Sequence, residues 1–269
     1  MSAVNDPSRG SPERFGYEWD KYSEIVPQYE DQFRRWLPFY GLEYWAGKRF
    51  LDVGCGMGRN SYWPMTYGAV GGYAIDLDER SLAAARRNLI SYPTVEVHAV
   101  SAYEIPWRDE LDIAYCIGVL HHLEFPDKAL VAMKEAVRSG GEVAIWVYGR
   151  ENNGWFLWAL SPARKLLFSW MPVSWVHAVA VLPTALLWIL LRMGLNKIDY
   201  FRLLRTFSFR HLWSIVFDQM LPKIANYWSE EEVRAFMKGA ELDDIELAWV
   251  NEMSWAARGR KPVGDARDA

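Results

Sequence analysis

Short apolar runs alternate with amphipathic stretches between residues 48 and 150. The amphipathic segments near residues 60–68, 79–91 and 126–138 have the apolar spacing of helices. The apolar runs between them have the length of buried strands, and they are RFLDVG, GGYAIDLD, TVEVHAV, LDIAYCIG and GEVAIWVYG. This alternation is typical of a parallel sheet with crossover helices. The pattern therefore predicts an α/β core.

The segments on either side of this core follow other patterns. Residues 1–14 are polar and predict a frayed tail, and the aromatics between residues 15 and 41 predict one or two amphipathic helices. Ser229 and Glu232 predict a capping box that opens a helix ending near Gly239. IELAWV and MSWAARG then predict two closing strands that pair antiparallel. The predicted units are a tail and helical cap (1–47), the core (48–150), a helical insertion (151–226), and a last helix with the closing strands (227–269).

The insertion contains an uncharged run from Leu166 to Leu191, which is long enough to cross a membrane. Pro172 and Pro183 predict that the run is divided into shorter helices, because proline lacks an N–H donor. A single crossing would also separate two parts of one sheet. Two interpretations remain open for residues 155–220. They form a lid over an acceptor pocket or a homodimer interface, or they lie in a membrane surface with tryptophans at headgroup level and basic side chains on anionic lipid. The side chains concerned are Trp155, Trp158, Trp170, Trp175, Trp188, Arg192, Lys197, Arg202, Arg205 and Arg210.

Composition limits the compartment and the partners. The chain has 269 residues, of which 51% are hydrophobic, so it suits one large α/β domain with an elaboration and is not disordered. A net charge of −4 provides no cationic field for nucleic acid. With two cysteines and no leader-like start, the chain is expected to be reduced and cytoplasmic, or peripheral on the cytoplasmic face of a membrane. Fifteen tryptophans indicate an aromatic-lined cavity or a membrane interface.

The sequence FLDVGCGMGRN predicts a ligand-binding loop. Its glycines allow positive φ angles and close approach of a ligand, and the next helix directs its N-terminus at the same place. Asp76 ends the neighbouring strand, where a carboxylate can accept hydrogen bonds from both hydroxyls of a ribose. The Gly-x-Gly-x-Gly spacing with Arg59 disfavours the dinucleotide fingerprint, and no Gly-Lys-Ser/Thr follows as in a phosphate loop.

These segments, together with VSAYEIPW, LDIAYCIGVLHHL and SEEEVRAFMKGAELDDIELAWV, resemble class I S-adenosylmethionine-dependent methyltransferases, in particular their UbiE-like small-molecule group. The resemblance covers residues 48–148 and 226–260. It implies a Rossmann-like seven-stranded, mostly parallel sheet with a reversed last strand and helices on both faces. It also implies S-adenosylmethionine as donor and S-adenosylhomocysteine as product. The histidines and cysteines show no metal-ligand spacing, so no metal is expected.

The resemblance also implies roles for single residues. Ser101 and Ala102 stand where the family usually has Asp-Ala beside the adenine, and the serine puts that contact in doubt. Tyr17 and Trp19 resemble a cap folded over the donor. The other implied roles are the methionine part for Asp52, Gly54, Gly56 and Gly58, the ribose for Asp76, adenine packing for Leu77, and a carbonyl to the adenine amino group for Ile117.

Methyl transfer from a sulfonium needs a base only if the acceptor atom carries a proton. His121 and His122 follow the fourth predicted strand and are candidates for that base or for packing at the pocket wall. The segment in which the insertion rejoins the core is expected to line the acceptor pocket, with Asp218, Gln219, Tyr227 and Trp228. The acceptor is expected to be small or lipid-like, and its methylated atom stays open among O, N, C and S. The alternative functions are a nucleotide (NAD)-dependent oxidoreductase and a donor-binding protein without turnover.

Overall fold

The structure is a computed structural model that describes residues 11–154, 158, 161–195 and 197–263. Trp155 and most of the predicted N-terminal tail lie outside the described residues. The part of the tail that is described does not match the prediction, because a helix begins at Pro12. Its start is fixed by Arg14, whose guanidinium donates to the carbonyl oxygens of Phe168 at 2.8 Å and Met171 at 3.3 Å.

The described residues contain a seven-stranded sheet in the order β3-β2-β1-β4-β5-β7-β6. Strands β1 to β5 are parallel, while β7 runs antiparallel between β5 and β6. The predicted Rossmann-like sheet with a reversed last strand is therefore confirmed, as is the antiparallel closing pair. The strands are β1 (Arg49–Val53), β2 (Gly71–Asp76), β3 (Val95–Ala99), β4 (Leu111–Ile117), β5 (Val137–Tyr148), β6 (Asp243–Val250) and β7 (Ser254–Arg260).

Helices cover both faces of this sheet. Among the described residues they are α1 (Pro12–Lys21), α2 (Gln28–Trp36), α3 (Arg59–Thr66), α4 (Glu79–Asn88), α5 (Pro126–Ala136), α6 (Ser161–Ala163), α7 (Val173–Arg192), α8 (Asp199–Leu204), α9 (Phe209–Met220) and α10 (Glu230–Gly239). A π-helical turn at Arg164–Phe168 continues α6. The predicted capping box at the start of α10 is present, with Ser229 and Glu232 bonded reciprocally.

Two apolar cores lie on opposite faces of the sheet. Alternate residues of β1 divide between them, with Leu51 and Val53 on one side and Phe50 on the other, and all three are fully buried. Burial on both faces explains why the parallel strands are continuous apolar runs. Helices α5 and α10 cover the first core, and α2, α3 and α4 cover the second.

The predicted division of the insertion at Pro183 is wrong. Helix α7 runs without interruption through Pro183 for 20 residues. Its buried side packs against α9, where Val176 and Ala180 meet Phe217 in one apolar cluster. A proline inside a helix costs about 3 kcal/mol, and this packing offsets the cost. The other side of α7 has no such cover, since large apolar side chains there are exposed.

Candidate active site

A cavity of about 310 Å³ lies at the carboxyl ends of β1, β2 and β4. Helices α1, α2, α8 and α9 contribute its other walls. In an open α/β sheet, this end of the strands is where ligands bind. The predicted donor residues that line the cavity are Trp19, Gly54, Gly56, Asp76, Leu77, Ser101, Ala102 and Ile117.

The loop after β1 holds two glycines against the cavity in conformations that favour glycine. Gly54 and Gly56 have φ angles of 75° and 53°. A Cβ atom on Gly54 would lie 2.4 Å from Val119, and one on Gly56 would lie 2.9 Å from Nε1 of Trp19. A side chain is therefore excluded at both positions, and the Trp19 indole of α1 rests directly on the loop where it lines the cavity.

Gly58 does not line the cavity, in contrast to its predicted role. Its φ angle is 82°, and a Cβ there would lie 3.2 Å from the backbone of Ala85 in α4. The absence of a side chain thus serves the close packing of the start of α3 against α4.

The Asp76 carboxylate ties the glycine loop to the end of β2. It accepts backbone hydrogen bonds from Gly56 at 3.0 Å, Leu77 at 2.7 Å and Asp78 at 3.1 Å. Burial raises the pKa of Asp76, and these three hydrogen bonds oppose that rise. A carboxylate offers about four lone-pair sites, so at least one remains for a ligand in the cavity. The geometry fits a hydroxyl-bearing ligand such as a ribose.

Two predicted donor residues lie away from the cavity wall. Asp52 is fully buried and accepts a hydrogen bond from the Ser61 hydroxyl at 2.7 Å, which joins β1 to α3. Burial raises the pKa of Asp52 to about 7. Tyr17 packs edge-on against His177 and Phe217 of the insertion. The structure therefore gives both side chains a supporting position behind the site.

The two candidate catalytic histidines differ in position. His121 is fully buried against the Tyr148 ring at 3.8 Å, does not line the cavity, and has no hydrogen-bond partner among the described residues on either nitrogen. Burial lowers its pKa well below the usual value. His122 does line the cavity, and its Nδ1 lies 2.8 Å from the carbonyl oxygen of Ile224. Burial lowers the pKa of His122 to about 4, so its ring is neutral at physiological pH.

A second, aromatic half of the cavity lies under the helical insertion. Gln219 donates from Nε2 to the Tyr148 hydroxyl at 2.8 Å. Of the four residues predicted to line the pocket where the insertion rejoins the core, Trp228 does not line the cavity and stacks on Phe236. The side chains that line this half include Glu18, Gln32, Trp146, Tyr148, Tyr200, His211, Asp218, Gln219 and Tyr227.

Arg59 stands between the two halves. Its guanidinium carbon lies 5.0 Å from the Trp19 ring centroid, 4.8 Å from that of Tyr29 and 5.1 Å from that of Trp36. Three aromatic faces within about 6 Å fix a guanidinium by cation–π attraction. The helix-start arginine is thereby held in the cavity as a positive charge.

Several of these side chains belong to no sequence motif. Glu18, Gln32 and Tyr200 reach the cavity only because α1, α2 and α8 fold over the strand ends. The aromatic spacing of the N-terminal segment, which predicts amphipathic helices, was the sequence signal for this cover over the site. Within the described ranges, no three histidine, cysteine, aspartate or glutamate side chains are grouped to hold a metal ion.

Comparison with known proteins agrees with this geometry. The family described as "Methyltransferase domain" matches residues 51–145. The ubiquinone biosynthesis O-methyltransferase of Aromatoleum aromaticum is 37% identical over 156 residues, which are 55% of this chain and 64% of that protein. The one from Dechloromonas aromatica is 30% identical over 165 residues, which are 56% of this chain and 70% of that protein. The chain thus spans slightly less than two thirds of the first relative and slightly more of the second.

Solved structures share the fold at low identity. A methyltransferase from Aquifex aeolicus gives a TM-score of 0.50 at 16% identity, with 96% of this chain and 94% of that chain covered. The Haemonchus contortus phosphoethanolamine N-methyltransferase 2, solved with S-adenosylhomocysteine, gives 0.56 at 15% identity, with 93% and 57% covered. The comparisons give no support to the NAD-dependent alternative. With the glycine loop, Asp76 and the reversed last strand all in place, the chain belongs to the class I S-adenosylmethionine-dependent methyltransferases.

Proposed function

We propose that this protein transfers a methyl group from S-adenosylmethionine to a hydroxyl oxygen of a small, lipid-like acceptor. The observation that carries the proposal is the single cavity that joins the glycine loop to the aromatic half under the insertion. The O-methyltransferase names of the relatives support oxygen as the methylated atom. Apolar and aromatic walls with a few polar groups suit a flat, largely apolar acceptor.

When bound, S-adenosylmethionine supplies an activated methyl group, so the protein has mainly to align the acceptor and exclude water. The Trp19 indole covers the glycine loop, and Asp76 offers a free lone pair there. Leu203 and Ile215 of the insertion close the cavity from the other side. This lining by α8 and α9 supports the lid, which was one of the alternatives for the insertion.

Transfer of a radiolabelled methyl group tests this proposal. The acceptors are a phenol with a short isoprenoid chain, a primary amine and a thiol with the same chain, each dispersed in mild detergent. We expect label in the phenol ether and little in the other two products. Tight binding of S-adenosylhomocysteine without label in any product would contradict turnover and favour the donor-binding alternative.

We also propose that α7 places the protein on the cytoplasmic face of a membrane, from which a lipid-like acceptor would enter. By length and composition α7 could cross a membrane, with a mean hydropathy of 1.9 and 22% of its apolar window buried. A crossing would separate β5 from β6, which belong to one sheet. The exposed side chains recur along one side of the helix, as expected for a helix lying in the interface, and they are Trp175, Val179, Leu182, Leu186, Ile189 and Met193.

Charge around this apolar face supports an anionic lipid surface. Arg192 ends α7 and lies over the Trp188 ring at 4.1 Å, and Arg205 is exposed in the segment that follows. Trp170 precedes α7 with 84% of its side chain exposed. Tryptophan and arginine at the border of an apolar face are typical of the headgroup region.

Vesicle flotation separates the membrane from the dimer alternative. We expect the protein to float with phosphatidylglycerol-containing vesicles and much less with phosphatidylcholine alone. The double variant Leu182→Ser/Leu186→Ser should remain at the bottom, whereas Ile90→Ser, which removes an even more exposed apolar side chain elsewhere, should float normally. A stable dimer in light scattering that the double variant dissociates, without vesicle binding, would contradict the membrane proposal.

A further inference from the structure

Two carboxyl groups from different parts of the chain meet in the aromatic half of the cavity. Glu18 comes from α1 and Asp218 from α9, both line the cavity, and each carboxyl group is close enough to change the pKa of the other. Glu18 is only 2% exposed, and its Oε2 finds no donor among the described residues. An acidic side chain with a free oxygen is thus buried against an open cavity.

Two carboxyl groups that lie together are disfavoured as two negative charges, and one proton between them removes the repulsion and supplies the donor that ionised carboxylates lack. Burial raises the pKa of both groups, the neighbouring negative charge adds to this for Glu18, and the charge of Arg59 opposes it. The pair therefore holds one proton at pH values where ordinary carboxyl groups are ionised, as expected for two carboxyls that share a site. One carboxylate remains as an acceptor.

Two other polar atoms at the cavity wall also lack partners. Gln32 is 6% exposed and Asn60 is 5% exposed, and both line the cavity. Neither Oε1 of Gln32 nor Oδ1 of Asn60 has a hydrogen-bond donor among the described residues. Buried polar atoms are normally bonded, so these acceptor oxygens point independently to a ligand that brings donors into the cavity.

We propose that the Glu18–Asp218 pair binds the acceptor's nucleophilic hydroxyl and takes its proton during methyl transfer. The inference rests on the proposed function and adds the residues that activate the acceptor. The acceptor O–H bond breaks, its proton goes to the ionised carboxylate of the pair, and the oxygen forms a bond to the methyl carbon. The carbon–sulfur bond of the donor breaks with its electron pair on sulfur, and the proton later leaves to solvent.

The surroundings of the pair suit this step. A base that must accept a proton from a hydroxyl works better with a raised pKa, and Arg59 is held nearby to stabilise the oxygen anion that forms. His121 and His122 are weaker bases than a free histidine, since burial lowers the pKa of each. The ionisable groups that act on the pair from the packed elements are Tyr22, Tyr29, Arg59, Tyr148, Arg164 and Tyr200.

The test uses 4-nitrocatechol, a hydroxyl acceptor whose ionised form absorbs visible light. In the wild-type protein we expect the bound probe to show the ionised spectrum at least about one pH unit below the pH at which free probe ionises. Glu18→Gln and Asp218→Asn should each reduce this shift, and the double variant should leave only the part of the shift that Arg59 supplies and slow methyl transfer about 100-fold. Affinity for S-adenosylhomocysteine should stay within about threefold in every variant.

Asp20→Asn is the matched control, because Asp20 is an exposed carboxyl on the same helix. It should behave as wild type in every assay. A bound probe that ionises like free probe, or a probe that does not bind while S-adenosylhomocysteine does, would overturn the inference. Failure of S-adenosylhomocysteine to bind would instead overturn the proposed function, and the probe spectrum in donor-free protein would still decide the role of the pair. Thermal melting of the single variants separates these effects from unfolding.

Discussion

Replacing Gly56 by alanine should weaken donor binding in addition to destabilising the fold. At a φ angle of 53°, any residue with a Cβ costs about 1–2 kcal/mol. The new methyl group would also lie 2.9 Å from Nε1 of Trp19. Ordinary contacts begin near about 3.5 Å, so the indole must move outward by roughly 0.6 Å. That shift disturbs the cap over the loop and the cation–π contact with Arg59.

Gly47→Ala separates these two effects. Gly47 has a φ angle of 74°, and nothing lies within 4 Å of its Cβ position. Both variants should lower the free energy of unfolding by about 1–2 kcal/mol in urea titrations. The backbone cost is the same with and without ligand, so only Gly56→Ala should weaken S-adenosylhomocysteine binding in calorimetry, by about tenfold or more. Equal affinities of Gly56→Ala and wild type would refute the role assigned to the loop and to Trp19.

Three further predictions concern single side chains of the core. Asp76→Asn should lower donor affinity at least about tenfold in calorimetry, because a charged acceptor that also anchors Gly56 is lost; unchanged affinity would contradict the ribose assignment. Burial raises the pKa of Asp52 from 3.8 to about 7, so the folded state binds the Asp52 proton more tightly than the unfolded state does. The contribution of this proton to the free energy of unfolding is lost as the pH rises from about 4 to about 7. Asp52→Asn should therefore flatten the fall in unfolding free energy between about pH 4 and about pH 7, and a slope equal to that of wild type would count against it. His121→Phe should keep both stability and methyl transfer near wild type, since neither imidazole nitrogen has a partner among the described residues; a loss of about 100-fold in transfer would restore a catalytic role.

The sheet and the glycine loop at one end of the cavity could be predicted from the sequence because they depend on local patterns. Buried parallel strands are continuous apolar runs, and the conformation of Gly54 and Gly56 excludes other residues whatever surrounds them. The aromatic half of the cavity could not be predicted in this way. Glu18 and Asp218 are 200 positions apart in sequence (218 − 18) and meet only through the packing of α1 and α9.

The places where the structure departs from the local sequence pattern have the same physical origin. Pro183 breaks a helix by its local chemistry, but packing against α9 keeps α7 continuous. Tyr17 and Trp19 are neighbours in one helix of the cap, yet one packs against the insertion and the other against the glycine loop. His121 has the residue type of a base, and burial, which lowers its pKa, favours the packing role that was its other candidate role. Tertiary contacts decide each of these cases.

Calorimetric titration with S-adenosylmethionine, beside NAD as the control ligand, tests the central claim most directly. The account predicts binding of the sulfonium donor with a Kd in the micromolar range, or about −8 kcal/mol, and no measurable binding of NAD. Binding of NAD in preference to the donor, or binding of neither, would contradict the assignment of the glycine loop and Asp76 as a methyl-donor site.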